Sequence, residues 1–172
     1  MAKKSTYVVK YRRRREQKTN YRKRLRLLKS RKLRLVIRKT NKYIIGQVAE
    51  YNPKGDKILV SVNSKELLNL GWKGVNAKNI TASYLSGYLL AKKALNKKIK
   101  EVVPDTGLHF IVKGGAILAF IKGIVDGGVI LNYDSKIMPS EERIKGEHLK
   151  IKQDFEKIKK AIEEMKFGRK EK

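Results

Sequence analysis

A chain of 172 residues with 43 Lys and Arg against 16 Asp and Glu has room for one domain plus extensions, and carries a formal charge of +27. The absence of cysteine excludes disulfides, thiolate zinc sites and thiol catalysis, and suits a reducing cytosol. No apolar run approaches the roughly 18 residues of a membrane span, because Lys113 and Lys122 interrupt the best stretch, and the basic N-terminus lacks the apolar core of a secretory signal.

Residues 1–42 hold 19 basic residues and one acid, Glu16, which puts +18 in a quarter of the chain and leaves +9 for the other 130 residues. Charge this dense repels itself unless partner anions neutralise it, and a polyphosphate does so with release of its counterions. The ordinary reading of a basic run is a solvated tail. Three features set this one apart. Arg12, Arg13, Arg14 and Arg15 offer planar forks for phosphate. Tyr7, Tyr11 and Tyr21 are interleaved as faces for unpaired bases. The charge also continues through Arg34, Arg38, Lys39 and Lys42 into an alternating apolar segment. Residues 1–30 are therefore expected to form a basic RNA-binding arm, with a short helical turn around Leu25, Leu27 and Leu28.

From Leu33 the period becomes two, with Leu33, Leu35 and Ile37 on one face and Arg34, Val36 and Arg38 on the other, which predicts a half-buried strand with a basic second face. Lys39, Thr40, Asn41 and Lys42 connect it to a second strand over 43–51. Asn52-Pro53-Lys54-Gly55-Asp56 is a turn, and Ile58, Val60 and Val62 alternate in a third strand. The connection containing Gly71, Trp72 and Lys73 leads to a helix with Ala77, Ile80, Tyr84, Tyr88, Ala91 and Leu95 on its apolar stripe and Asn76 as N-cap. A short strand at Glu101-Val102-Val103 ends at Pro104, a second helix runs from about Gly115 to Asp126 with Gly127 as its stop, and Val129-Ile130-Leu131 forms a last strand. The order βββαβαβ predicts an α/β domain over 31–133 with a mixed β-sheet, a three-stranded antiparallel meander followed by βαβ-type crossovers. Residues 134–172 read as a C-terminal helical extension: a short helix near 140–150 interrupted by Gly146, then an amphipathic helix through Ile151, Phe155, Ile158, Ile162 and Met165 to Gly168.

The pieces YRRRREQKTNYRKRLRLLKS, RLVIRKTNKYIIGQV, LGWKG, PDTGL and PSEERIKGEHL occur together and in order. The chain thereby resembles the large-subunit ribosomal protein family that binds 5S ribosomal RNA (L-eighteen in bacteria and archaea, L-five in eukaryotes), the archaeal type above all, from about residue 5 to 150. It departs from the family's pattern at Leu33, where many relatives have proline, and at Asn20, where aspartate is expected. The resemblance implies a ribonuclease H-like motif, a place in the central protuberance of the large ribosomal subunit in the cytoplasm, and as partners 5S rRNA, 23S rRNA and neighbouring large-subunit ribosomal proteins, with no membrane and no small-molecule substrate. Carried onto matching positions, it marks Arg12 to Arg15, Lys18, Thr19, Tyr21, Arg34, Arg38, Lys39, Thr40, Asn41 and Lys42, joined by Gly71, Trp72 and Lys73. The basic run itself adds Tyr11, Arg22, Arg24, Arg26 and Arg31.

A nuclease of ribonuclease H-like fold is the alternative, and it would need carboxylates converging on a metal. Asp105, Asp126 and Asp134 each stand at a turn or helix end, where aspartate has an ordinary capping role. His109 and His148 lack partners at metal or acid–base spacing. Lys113-Gly114-Gly115-Ala116 at a helix start would suit an RNA phosphate as well as a nucleotide. Trp72 reads equally as a core anchor or a stacking residue. A binder of anionic membranes would show a basic amphipathic helix with opposed aromatics, a division the basic run lacks. The reading is a structural RNA-binding protein, with no enzyme activity and no cofactor.

Overall fold

The structure is a computed structural model describing residues 8–72, 77–147 and 152–165. Four strands, β1 (Arg34–Lys39), β2 (Ile44–Glu50), β3 (Lys57–Asn63) and β4 (Val103–Asp105), form one mixed sheet in the order β3-β2-β1-β4. The first three make the antiparallel meander that the alternation predicts, and β4 pairs parallel to β1. The first turn is tied by Thr40, whose Oγ1 accepts the Tyr43 N–H at 3.0 Å. In the second, Asn52 Oδ1 accepts the Lys54 N–H at 3.0 Å.

Leu35, Ile37, Val48, Val60 and Val62 point to the core. One expectation for this face is corrected. Ile58 does not join Val60 and Val62, because the register between β2 and β3 passes from Val48–Val60 to Ala49–Ile58 and skips Leu59. That bulge turns Leu59 toward the core and leaves Ile58 half exposed on the opposite face.

Two helices cover the core face: α4 (Ile80–Asn96) and α5 (Ala116–Asp126). The N-cap of α4 is Asn79, whose Oδ1 accepts the Ala82 N–H at 2.8 Å; the expected cap, Asn76, lies outside the described residues. Ala77 precedes the helix and forms an isolated bridge with Tyr43. The two helices cross with their backbones almost in contact. A Cβ on Gly87 would collide with the carbonyl of Phe120, and one on Gly123 with that of Tyr84. After α5 the left-handed residue is Gly128, at φ +98°, one position later than expected, since Gly127 is still right-handed.

The fourth strand also differs from expectation. It starts at Val103, whose N–H donates to the Leu33 carbonyl at 2.8 Å, and it includes Pro104, which stands opposite Leu35. On its other side the Val102 N–H donates to the Ile130 carbonyl at 3.1 Å, and the Ile130 N–H donates to the Lys100 carbonyl at 2.8 Å. The next donor along that edge would be Pro104, which has no N–H. The expected strand over 129–131 is thereby reduced to a single bridge, Glu101–Ile130.

A one-turn helix, α3 (Glu66–Asn69), stands in the connection before α4 and buries Leu67. Beyond a 3₁₀ turn at Ser135–Ile137, α6 (Glu141–Lys145) ends at Gly146, which is left-handed at φ +72°. The last helix, α7 (Lys152–Glu164), lies on α4. Phe155, Ile158 and Ile162 enter the core, with the Phe155 ring 5.8 Å from Tyr84. Ile151 and Gly168 lie outside the described residues. Tyr84 donates its hydroxyl to Asp126 at 2.7 Å, and Tyr88 donates to Glu163 at 2.8 Å.

Leu35→Ala should destabilise by about 2–5 kcal/mol, as expected for a leucine with no exposed surface. Gly87→Ala should cost about 1–3 kcal/mol by forcing α4 and α5 apart, although alanine favours helix; urea unfolding curves of both variants would check these values.

Candidate nucleic-acid interface

The open face of the sheet carries Arg34, Val36 and Arg38 from β1, Gln47 and Ala49 from β2, and Asp105 from β4, the residues whose period-two partners fill the core. Over it lies α2 (Tyr21–Lys29), preceded in the chain by α1 (Arg12–Arg15). Asn20 caps α2 by accepting the Lys23 N–H at 3.1 Å, the role an aspartate would fill there. Left-handed Gln17 and Arg31 terminate the two helices.

Arginines and two aspartates hold α2 to the sheet. Arg34 is 2% exposed; its Nη2 donates to Asp56 at 2.5 Å and its Nη1 to Asp105 at 3.1 Å. Asp56 also accepts both terminal nitrogens of Arg24, at 2.8 and 2.9 Å, which is the bidentate geometry. Arg38 donates to the carbonyls of Ile37 and Asp105, both at 2.8 Å, and stands 3.7 Å from the Asp105 carboxylate. Lys23 reaches from α2 to Thr106 Oγ1 at 3.0 Å and the Gly107 carbonyl at 3.2 Å. The hydrogen bond from Arg24, with further help from Arg34, holds the Asp56 carboxyl below the usual aspartate range against the opposing effect of burial.

Between α2, the β2–β3 turn and the sheet runs a groove of about 880 Å³ lined by Arg13, Lys18, Lys23, Arg24 and Arg38 among others. Three guanidiniums (Arg24, Arg34, Arg38) share two carboxylates, so the inner network keeps a surplus positive charge. The outer cations add to it.

The residues singled out from the sequence occupy three kinds of place. Tyr11, Arg12, Arg13, Arg14, Arg15, Lys18, Arg22, Arg26, Arg31, Lys39, Asn41 and Lys42 are exposed, with Tyr11 against Tyr21 at 5.2 Å between ring centres. Thr19 accepts from Arg13 at 2.9 Å, Arg24 and Arg38 are partly engaged inside the fold, and Thr40 is exposed and tied into its own turn. Arg34 and Trp72 are interior. Both terminal nitrogens of Arg34 are directed at the aspartates, and Trp72, 4% exposed, is a core residue. Gly71 takes φ +89° at the end of α3, and Lys73 lies outside the described residues. Sequence reading missed Lys23, Asp56 and the Thr106–His109 turn. The PDTGL segment is the visible signal of that turn, because Asp105 Oδ1 accepts the Gly107 N–H at 2.9 Å and so shapes it.

The carboxylates considered for metal chemistry are dispersed. Asp105 serves Arg34 and Gly107, Asp126 accepts from Tyr84, and Asp134 accepts the Lys136 N–H at 2.9 Å. Among the described residues no cluster of three acids or histidines could hold a metal ion, and no helix is long and apolar enough to cross a membrane. His148 lies outside the described residues.

Over residues 5–103 the chain matches the family described as ribosomal large subunit proteins 60S L5 and 50S L18. The large ribosomal subunit protein uL18 of Methanococcus maripaludis is 45% identical over 167 residues, covering 94% of this chain and 86% of that protein.

Asp105→Ala should destabilise by about 3–5 kcal/mol, since it strips one anion from a buried guanidinium. The Asp56 contribution should be complete above the ordinary carboxyl value of 3.8 and be lost as pH falls through the depressed folded-state value. Hydrogen exchange of the α2 amides, followed from pH 6 downward, should show that acid release.

Proposed function

Because the chain belongs to the family of ribosomal large-subunit proteins 60S L5 and 50S L18, we propose that its basic face fastens 5S rRNA and helps attach it to 23S rRNA in the central protuberance. It is a structural constituent of the large ribosomal subunit and not an enzyme; its setting is cytoplasmic. Neighbouring large-subunit proteins complete its partners. The carrying observation is the +18 segment joined, through α2, to a groove lined by cations over the open sheet face.

On this reading residues 1–30 act as a basic arm, 31–133 as the RNA-binding α/β domain and 134–172 as a helical extension. The division is one of role, since α2 leans on the sheet and α7 contributes to the core. The antiparallel meander with a parallel fourth strand supports a relation to the ribonuclease H-like motif, serving as a scaffold. Arg12 to Arg15, Lys18, Arg22, Arg26, Arg31, Lys39 and Lys42 neutralise phosphates, with Tyr11, Thr19, Tyr21 and Asn41 beside them. Arg38 and Arg24 orient the groove. Arg34 contributes through the aspartates it holds, not by touching RNA, and Gly71 and Trp72 contribute through the fold. Lys73 remains in the proposed set by resemblance alone.

If about 8 phosphate counterions are released, the logarithm of the 5S rRNA association constant should fall with a slope of about −6 to −7 per decade of salt. A slope shallower than about −3 would contradict charge neutralisation. Arg38→Ala should weaken binding and also lower the melting temperature without unfolding the domain, since it removes hydrogen bonds to the Ile37 and Asp105 carbonyls, as titrations and thermal melts on the same samples would show.

A further inference from the structure

Between β4 and α5 the chain presents Leu108, Phe110, Ile111 and Val112 to solvent, and Phe110 is 92% exposed. Connections on a protein surface are ordinarily polar, and a cluster of exposed apolar side chains marks an interaction surface. The segment is anchored at both ends. Gly107 is fixed by Asp105, the His109 N–H donates to the Thr106 carbonyl at 3.2 Å, and the Gly114 N–H donates to the Ile137 carbonyl at 2.9 Å. His109 Nε2 accepts the Lys39 N–H at 3.2 Å, which requires that nitrogen to be unprotonated. Burial, followed by the charges of Arg38 and Lys39, lowers the imidazole pKa and favours that neutral form.

The surroundings identify what covers this tip. Lys23 bonds to the Gly107 carbonyl, the Arg38 guanidinium lies against Gly107, and the Lys39 charge is close enough to act on His109, which accepts its backbone N–H. Leu108 shares the wall of a hollow of about 540 Å³ with Arg14, Tyr21 and Arg22. An apolar protein surface laid over the tip would strip water from these cations without giving them anions, at a cost. Single-stranded RNA presents phosphates and flat apolar base faces at alternating positions, and so matches both kinds of group. Resting on RNA binding by the basic face, we propose that the 108–112 tip is a seat for unpaired nucleobases. Phe110 stacks on one base, Leu108 and Tyr21 flank a neighbouring base, and Arg14 and Arg22 take the intervening phosphates.

The test compares the full chain with Phe110→Ala and Phe110→Trp, titrated with a 5S rRNA transcript and with a blunt RNA duplex. Phe110→Ala should lose about 5- to 100-fold in affinity for the 5S transcript, keep the wild-type salt slope because no cation is removed, and bind the duplex as before. Phe110→Trp should retain the affinity. Wild-type affinity of Phe110→Ala for the 5S transcript would overturn the proposal and leave RNA binding by the basic face intact, as would equal losses on transcript and duplex. Failure of the unaltered chain to bind the transcript would remove the RNA-binding reading and this inference together.

Discussion

The Arg34 guanidinium, 2% exposed and held between two carboxylates, is the constraint on which the open side of this structure depends. A charge taken out of water costs several kcal/mol unless partner anions compensate it. Those anions come from separate pieces of chain: Asp56 from the β2–β3 turn and Asp105 from β4. One side chain in the middle strand therefore ties together the turn, the edge strand and, through the bidentate Arg24–Asp56 pair, the helix that lies over them. With an apolar residue at position 34, Asp105 would lose a close cationic partner, and the Arg24–Asp56 pair would lose its tie to β1.

This arrangement shows how part of a strongly cationic segment is held in a defined place on the sheet. The two aspartates act as internal anions that fix three arginines while leaving the outer cations, Arg12 to Arg15, Arg22 and Arg26, directed at solvent. The opposite side of the sheet has no part in this electrostatics. There the close crossing of α4 and α5 at Gly87 and Gly123, with α7 laid across α4, provides an apolar core. The arginine–aspartate network thus lies on one face of the sheet and the apolar core on the other, and β1 contributes alternate residues to each.

Much of this was legible in the sequence because it is periodic or compositional. The alternation in RLVIRK marks β1 and both of its faces, the turn at 52–56 is written in proline and glycine, and the helical stripes of α4, α5 and α7 stand at helical spacing. What was illegible depends on distant partners. Period two places Arg34 with Arg38, but its burial follows from aspartates 22 and 71 residues away. The bulge at Leu59 reverses Ile58, although the alternation through Val60 and Val62 continues past it. In the sequence Pro104 marks the end of a strand; with its nitrogen turned from β1 it sits inside one, and the end it imposes is on the neighbouring edge. Trp72 resolves as core only once α3 is present to direct it inward. Basic composition marked the candidate site, while the acids that organise it looked like ordinary turn residues.

Asp56 organises the cationic face and does not merely dilute it, and Asp56→Asn separates the two roles by the sign of its effect. The substitution removes one negative charge from beside the groove, so simple charge counting requires tighter binding of 5S rRNA. If the carboxylate instead holds Arg24 and α2 in place, losing it must weaken binding despite the added positive charge. The measurement is the ratio of 5S rRNA dissociation constants for the wild type and Asp56→Asn at one fixed salt concentration, on protein shown to be folded by circular dichroism. An organising role for Asp56 requires weaker binding by the variant; tighter binding would contradict it.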